Sequence, residues 1–311
     1  MHDIEHICQC LQNIDVISFV RDSLITGYGP YFPTKARQMQ ILVDQALERL
    51  VESQRAGIDG NRMVEATTEV IREIYHKEDP GFWFNQVYHR YKTEIKPRTD
   101  VEQLGPLIRG QRVLDYGCGS GYLSVQLEQS GFQVFTTDVL DYRYAEAKHL
   151  PFTQMHSPTE IGYPEKSIDT TILQAVLHHI DTLDLGVILP HLAKITQRLL
   201  IKEDSYGLSS GMPGLDRKIA QQPLLARFLD FPQPIQFQIL VLIDYYANAV
   251  AQGIPEMHMP FNFRTPDEWQ QVLAANGFTV ERTIVAGFEP GRMHQSCHIW
   301  LVCECADHKL H

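Results

Sequence analysis

The stretch that decides the fold reads VLDYGCGSG and covers residues 113–121 of a 311-residue chain. An apolar segment runs into a turn with three glycines, and the residues from Tyr122 onward predict a helix. Glycines allow a sharp turn and close approach of the backbone to a ligand, and the start of the helix presents free N–H groups to an anionic group. Asp138 ends the next predicted strand, 17 residues after Gly121, where an acid can accept both hydroxyls of a ribose. The pattern therefore predicts a nucleoside site.

From residue 111 onward, short apolar runs alternate with helical segments along the chain, which is typical of a parallel sheet with crossover helices. The predicted strands are 112–116, 134–137, 170–173, 199–202, 279–286 and 297–304. The predicted helices are 122–129, 185–197, 237–251 and 266–276. These elements predict one α/β domain over residues 101–311.

The remaining segments are predicted to be helical. Residues 1–100 carry apolar residues at three- and four-residue intervals, which predicts an N-terminal helical cap that ends where the character changes, at Lys96–Arg98. Residues 207–262 are too many for a plain loop and contain a strongly apolar helical piece. We expect them to form a helical lid insertion, because insertions at the carboxyl edge of such a sheet usually cover the ligand crevice.

Composition limits the partners and the compartment. The 27 basic and 38 acidic residues give a net charge of −11, which disfavours nucleic acid as a partner. The six cysteines include no CxxC pair, so we expect a reducing compartment, the cytoplasm. The acidic start of the chain does not have the pattern of an export signal, and the best apolar run, Ile239–Ile243, is too short to cross a membrane. We expect a cytoplasmic protein that acts on a small molecule.

The spacing of the glycines distinguishes between nucleoside ligands. A dinucleotide fingerprint has the form G-x-G-x-x-G, whereas here glycines fall at 117, 119 and 121 after Asp115. The chain resembles the class I methyltransferases that use S-adenosylmethionine, whose first motif has the form hh-D-x-G-x-G-x-G. Ser167-Ile168-Asp169 and the later Leu177-His178-His179 resemble a segment common among small-molecule members.

The resemblance implies a Rossmann-like α/β fold with a seven-stranded, mostly parallel sheet whose last strand is antiparallel. It also implies S-adenosylmethionine as the cofactor and S-adenosylhomocysteine as its product. In such proteins the acid before the glycines helps to hold the ammonium end of the cofactor, and the acid that ends the second strand binds the ribose. The cofactor-binding residues implied here are Asp115, Gly117, Cys118, Gly119, Gly121, Asp138, Val139, Gln174 and Tyr91.

The acceptor side is less specified by sequence. Methyl transfer is an in-line displacement that depends mainly on positioning, and a base is needed only for some acceptors. The candidates for such a base are Glu203, His179 and His258, and the candidate substrate contacts are Asp204, Tyr245 and Asn248. The plainer alternatives are a solvated Glu203, a helix-capping Asp204 and a core Tyr245.

A metal site and two other functions are alternatives to this interpretation. His178, His179, His258, Glu203 and Asp204 could supply two histidines and a carboxylate, but no local ligand spacing specifies a metal, and none is predicted. The leading hypothesis is methyl transfer to a small, partly apolar metabolite, with oxygen, nitrogen and carbon acceptors all open. The alternatives are a non-catalytic sensor or scaffold that binds the cofactor, and an NAD-dependent oxidoreductase.

Overall fold

The computed structural model describes residues 2–57, 60–141, 143–157, 159–160 and 162–306. Met1, in the predicted N-terminal cap, and residues 307–311, in the predicted α/β domain, lie outside the described residues. The chain divides into two compact units. The helical unit comprises the chain up to His89, Asp204–Phe263 and Val285–His298. The sheet unit comprises Arg90–Glu203, Arg264–Ile284 and the chain from Ile299 onward.

Twelve α-helices occur within the described ranges. They are α1 (His2–Cys10), α2 (Ile14–Tyr28), α3 (Ala36–Arg55), α4 (Gly60–Glu73), α5 (Trp83–Arg90), α6 (Lys96–Leu104), α7 (Tyr122–Gln129), α8 (Thr182–Ile195), α9 (Leu215–Gln221), α10 (Pro223–Leu229), α11 (Gln233–Tyr245) and α12 (Pro266–Ala275). Two further segments are π-helical, Tyr91–Ile95 and Tyr246–Ala251.

One sheet contains the seven strands found in the described residues, in the order β3-β2-β1-β4-β5-β7-β6. They are β1 (Arg112–Tyr116), β2 (Gln133–Asp138), β3 (Phe152–Gln154), β4 (Ile168–Gln174), β5 (Thr196–Asp204), β6 (Phe278–Phe288) and β7 (Cys297–Cys305). The first five strands pair in parallel, and the last strands are antiparallel. The strand order reverses between β1 and β4, and in sheets of this kind such a point opens a crevice at the carboxyl ends of the strands.

The central strands are buried because the sheet is covered on both faces. Every residue of β1 after Arg112 is buried, as expected for a parallel strand that reads as a continuous apolar run. The sequence predicts β1 and α7 residue for residue, and it places the other predicted strands within three residues of their ends. The predicted fold class, including the antiparallel end of the sheet, is therefore confirmed.

The helical unit is built from amphipathic and apolar helices. Helix α3 buries one face and contacts both α2 and α4. Helix α11, which is buried from Ile239 to Tyr245, packs against α1 and α2. The predicted helix over 237–251 is formed by α11 followed by the π-helical turn. Across the described residues, no helix combines the length and the apolar character that a membrane crossing requires.

The predicted boundary at Lys96–Arg98 is not a break in the backbone. Helix α6 begins at Lys96, carries Pro97 in its first turn and continues through residue 100. Proline is tolerated in the first turn because its missing N–H would have no partner within the helix. The domain division after residue 100 stays a prediction, while the compact units separate between His89 and Arg90.

Candidate functional site

The glycine loop lies between β1 and α7 in the sheet unit. Gly117, Gly119 and Gly121 have φ angles of 71°, 52° and 80°, a region that side-chain-bearing residues rarely adopt. A Cβ on Gly117 would lie 2.8 Å from Val176 Cγ2, and one on Gly121 would lie 2.6 Å from the Ala147 Cβ. The loop therefore requires glycine for its backbone conformation and for its packing.

Asp138 joins the end of β2 to this loop. Its carboxylate accepts hydrogen bonds from the backbone N–H of Gly119 and of Val139, each at 2.8 Å. The residue is only 6% exposed, and burial raises the pKa of its carboxyl above the ordinary value. The amide groups of Gly117 and Cys118 also donate to the backbone carbonyl of Thr137, at 2.9 and 3.1 Å. The acid and the loop thus form one connected structure.

Asp115 lies behind the loop at the end of β1. Its carboxylate accepts a 2.5 Å hydrogen bond from the Ser124 hydroxyl of α7. Burial raises the pKa of Asp115 to about 6, and the nearby negative charge of Asp138 adds to this effect. The site therefore contains a carboxyl group that keeps its proton more readily than an exposed aspartate does.

A third polar group adjoins these acids, and it includes residues that the sequence did not predict. Gln174, the last residue of β4, donates through Nε2 to Asp100 Oδ2 at 2.8 Å, and Lys96 Nζ lies 3.0 Å from the same oxygen. Asp100 is fully buried. Gln174 Oε1 is buried and accepts no hydrogen bond from any described residue. A buried acceptor of this kind needs a donor from outside the chain or from water.

Glu203 and His178 form a separate, fully buried pair in the sheet unit. Glu203 Oε1 accepts from the backbone N–H of Val176 at 3.0 Å and of Leu177 at 2.7 Å. Glu203 Oε2 lies 2.5 Å from His178 Nδ1. Both carboxylate oxygens therefore hold the turn after β4 in place. His179, the predicted base candidate, is half-buried, and its ring centre lies 4.2 Å from that of His178.

Asp204 belongs to the helical unit, where it lies in a cluster that the sequence did not predict. His298 Nε2 lies 3.5 Å from Asp204 Oδ1, and His298 Nδ1 lies 3.3 Å from Glu289 Oε2. Arg292 Nη2 lies 3.7 Å from Glu289 Oε1. All four side chains are at most 15% exposed. Asp204 Oδ1 and His298 Nδ1 make no hydrogen bond with the part of the chain that the structure describes.

The other predicted residues differ in burial and in location. In the sheet unit, Tyr91 and Cys118 are buried and Val139 is half-buried. In the helical unit, Tyr245 is buried and hydrogen-bonded to Thr67. Asn248 donates a hydrogen bond to Asp244 and accepts one from Gln252, and His258 is exposed.

The sheet unit thus contains every predicted cofactor residue together with Glu203 and His179. The helical unit contains the three predicted substrate residues and His258.

Comparison with known proteins gives the site a context. Residues 87–283 match the family described as "Methyltransferase domain". Over 119 residues the chain is 33% identical to the ubiquinone biosynthesis O-methyltransferase of Nitrosospira multiformis. That match covers 35% of this chain and 48% of the relative, so the chain spans about half the length of the curated protein it matches.

One of two similar solved structures supports the fold. The pyocyanin biosynthetic protein PhzM superposes with a TM-score of 0.52 at 16% identity, over 87% of this chain and 72% of that one. The magnesium protoporphyrin IX methyltransferase of Synechocystis PCC 6803, solved with bound SAH, gives a TM-score of 0.42 at 20% identity, over 70% of this chain and 84% of that one.

Proposed function

The chain belongs to the methyltransferase domain family, and from that premise we propose that it transfers a methyl group from S-adenosylmethionine to a small, partly apolar metabolite. When bound, S-adenosylmethionine supplies an electrophilic methyl group on a sulfonium. One observation carries the proposal. Asp138 is locked beside the glycine loop by the amide groups of Gly119 and Val139, at the end of the second strand.

The ribose would be held by Asp138. An ionised carboxylate has about four lone-pair positions, and the backbone amides of Gly119, Val139 and Leu140 use only part of this capacity. Two ribose hydroxyls can therefore donate to the oxygens that remain accessible. The positive φ angles of Gly117, Gly119 and Gly121 require glycine at these positions, which supports close approach of the cofactor to the backbone of the loop. Val139, Cys118 and Tyr91 are proposed to complete the walls of this site.

The methionine end would be held by Asp115 and Gln174. The unsatisfied Gln174 Oε1 is an acceptor for an ammonium N–H, and the neighbouring Asp115 can provide the compensating negative charge. Lys96 supplies a positive charge for the carboxylate of the cofactor. The residues present therefore fit a ligand that carries both an ammonium and a carboxylate group.

The acceptor would be bound through Asp204, Tyr245 and Asn248. Of these, Asp204 is the strongest candidate, because its Oδ1 is buried without a hydrogen bond to any described residue. A hydroxyl or N–H of an acceptor would satisfy that atom. We extend the proposed substrate contacts to His298, whose ring lies between Asp204 and Glu289.

The predicted base candidates now differ in their proposed roles. The carboxylate of Glu203 is already engaged by two backbone amides and by His178, so we propose that it positions the turn after β4. His179 and His258 remain the proposed candidates for a base, which is required only when the acceptor must lose a proton.

We also propose a cytoplasmic location. All six cysteines carry free thiols, which supports a reducing compartment.

The test is transfer of label from S-adenosylmethionine carrying a radioactive methyl group. The full chain is incubated with fractionated small metabolites, and the expected result is label in a small product with an equal amount of S-adenosylhomocysteine. Tight binding of S-adenosylhomocysteine without transfer to any fraction would contradict catalysis and indicate a sensor. Thermal stabilisation by NADH but not by S-adenosylmethionine would indicate an oxidoreductase.

A further inference from the structure

A polar cavity lies at the end of the sheet where the parallel strands begin, opposite to the end that carries the glycine loop. It belongs to the sheet unit and has a volume of about 370 Å³, which is within the range of small-ligand sites. Arg109 precedes β1, and Arg198 is the third residue of β5, so both lie where the parallel strands begin. The glycine loop, by contrast, follows the end of β1. The lining residues are Pro106, Leu107, Arg109, Arg198, Glu281 and Arg282.

Two of the arginines are held in place by two glutamates. Arg198 Nη1 forms an ion pair with Glu304 and lies 3.2 Å from Glu281 Oε2. Arg109 Nη1 lies 2.7 Å from Glu304 Oε1, and Arg109 Nη2 lies 3.6 Å from Glu281 Oε1. The side chain of Arg198 is only 5% exposed. The two acids therefore fix the direction of a buried guanidinium beside the cavity.

The positive charge of this group is not fully balanced. Arg282 is exposed and forms no ion pair or hydrogen bond with the residues that the structure describes, so three arginines face two glutamates. Arg198 Nε is buried and donates to no described residue. A buried charged donor without an acceptor is unfavourable because its lost hydration is not replaced, and an anion beside the guanidinium would offset this loss.

We propose that this cavity binds a compact oxyanion with two negative charges, a phosphate group or a small dicarboxylate, through Arg198 and Arg282. Guanidinium groups present planar pairs of N–H donors that match the oxygens of phosphates and carboxylates. The chain as a whole is strongly acidic, with a net charge of −11, so general attraction does not draw an anion to it. Binding depends on the local excess of arginine. This site is independent of the proposed methyl transfer.

The test is calorimetric titration of the full chain with inorganic phosphate and, separately, with malonate, each at an ionic strength held constant with chloride. We expect saturable binding of at least one anion below about 10 mM, and Arg282→Gln should weaken it about tenfold or more. Binding of phosphate alone or of malonate alone identifies which oxyanion the site prefers. Arg282 is exposed, so the substitution is expected to leave the fold intact, and far-UV circular dichroism checks this.

The matched control is Arg37→Gln, which removes the same charge from an exposed arginine of the helical unit. It should leave the affinity unchanged. If neither anion binds below about 10 mM, or if both variants weaken binding equally, the proposed site is overturned, because the effect would then be one of general charge.

Discussion

Glu203 and Asp204 end the same strand, yet their side chains have different surroundings. Both oxygens of Glu203 accept short hydrogen bonds, two from backbone amides and one from the His178 ring. Asp204 Oδ1 has a histidine at 3.5 Å and no hydrogen bond to a described residue. The first carboxylate is structurally satisfied, whereas the second retains capacity for a ligand.

Substitution of Glu203 should therefore affect stability. Glu203→Gln leaves one oxygen for the two backbone N–H groups, but it removes the negative charge and replaces the oxygen that faces His178 Nδ1 by an NH₂ donor, so the free energy of unfolding should fall by about 1–3 kcal/mol. Urea denaturation measures this change. The exposed Glu256→Gln is the control and should leave the midpoint unchanged. An unaltered midpoint for Glu203→Gln, together with lost methyl transfer, would favour the role of a base instead.

Substitution of Asp138 should affect affinity for the cofactor. Asp138→Ala removes the proposed ribose acceptor and the anchor of Gly119, so binding of S-adenosylhomocysteine should weaken by about 1–3 kcal/mol. Isothermal titration calorimetry measures it, and Asp216→Ala, at an exposed aspartate, is the control. Equal affinities for the folded wild type and Asp138→Ala would remove Asp138 from the site.

Asp115 predicts a dependence on pH with opposite signs for stability and binding. Its pKa is about 6 in the folded chain against an ordinary value of 3.8. A raised pKa means that folding favours the neutral form. The contribution of Asp115 to stability is therefore fully present below pH 3.8 and is lost as the pH rises through about 6.

Binding of the ammonium group requires the ionised form of Asp115. The affinity for S-adenosylhomocysteine should accordingly fall as the pH drops below about 6. Titrations at pH 5 and pH 7.5 measure this, and Asp115→Asn should bind more weakly at pH 7.5 and lose most of the pH dependence. A wild-type affinity that does not change between these pH values would exclude Asp115 as the partner of the ammonium.

Among single residues, the sequence indicates as candidates only those that belong to a local motif, and their roles stay predictions. Asp115 and Asp138 have a fixed spacing from the glycines, and their positions follow from it. Lys96 and Asp100 were not among the predicted residues, because the domain boundary was placed at Lys96–Arg98, where a helix in fact begins. His298 was missed because its neighbours Asp204 and Glu289 come from distant parts of the chain, and no local spacing indicates that they meet.

At the scale of elements, the junction between the glycine loop and α7 depends on a close backbone approach. Gly121 precedes the helix with a φ of 80°, and an added Cβ would lie 2.6 Å from the Cβ of Ala147. Gly131, just beyond α7, has a φ of 95° but open space around its Cβ position. The two glycines therefore share a backbone conformation that would be strained for any residue with a Cβ, and they differ in packing.

This difference gives a paired prediction. Gly131→Ala should cost about 1–2 kcal/mol of stability through backbone strain alone. Gly121→Ala should cost a further 1–3 kcal/mol or so through overpacking, and it should also weaken binding of S-adenosylhomocysteine. Thermal unfolding and calorimetry measure both quantities. Equal losses of stability in the two variants would show that the tight packing of the junction contributes nothing.

Elements with strong periodicity were predicted well, and short ones were not. The buried run of β1 and the helix after it were found to the residue. Strand β3 has three residues, none of them fully buried, and no periodic pattern can be detected over so short a length. The π-helical turn that carries Tyr91 has no sequence signature of its own.

At the scale of the whole molecule, a seven-stranded, mostly parallel sheet with an antiparallel last strand was expected from the resemblance, while the compact units were not. The helical unit combines segments from the start, the middle and the end of the chain. Assignments made along the sequence cannot detect such long-range packing, because the local pattern of one segment does not specify the distant segment against which it packs.

The central claim is that a sulfonium nucleoside binds at the loop after β1. It is tested most directly by a crystal structure of the full chain with S-adenosylhomocysteine. The account predicts density for the ligand beside Gly117, Gly119 and Gly121, with both ribose hydroxyls within hydrogen-bond distance of Asp138. A ligand bound elsewhere, or a loop occupied by neighbouring side chains at saturating ligand, would contradict it.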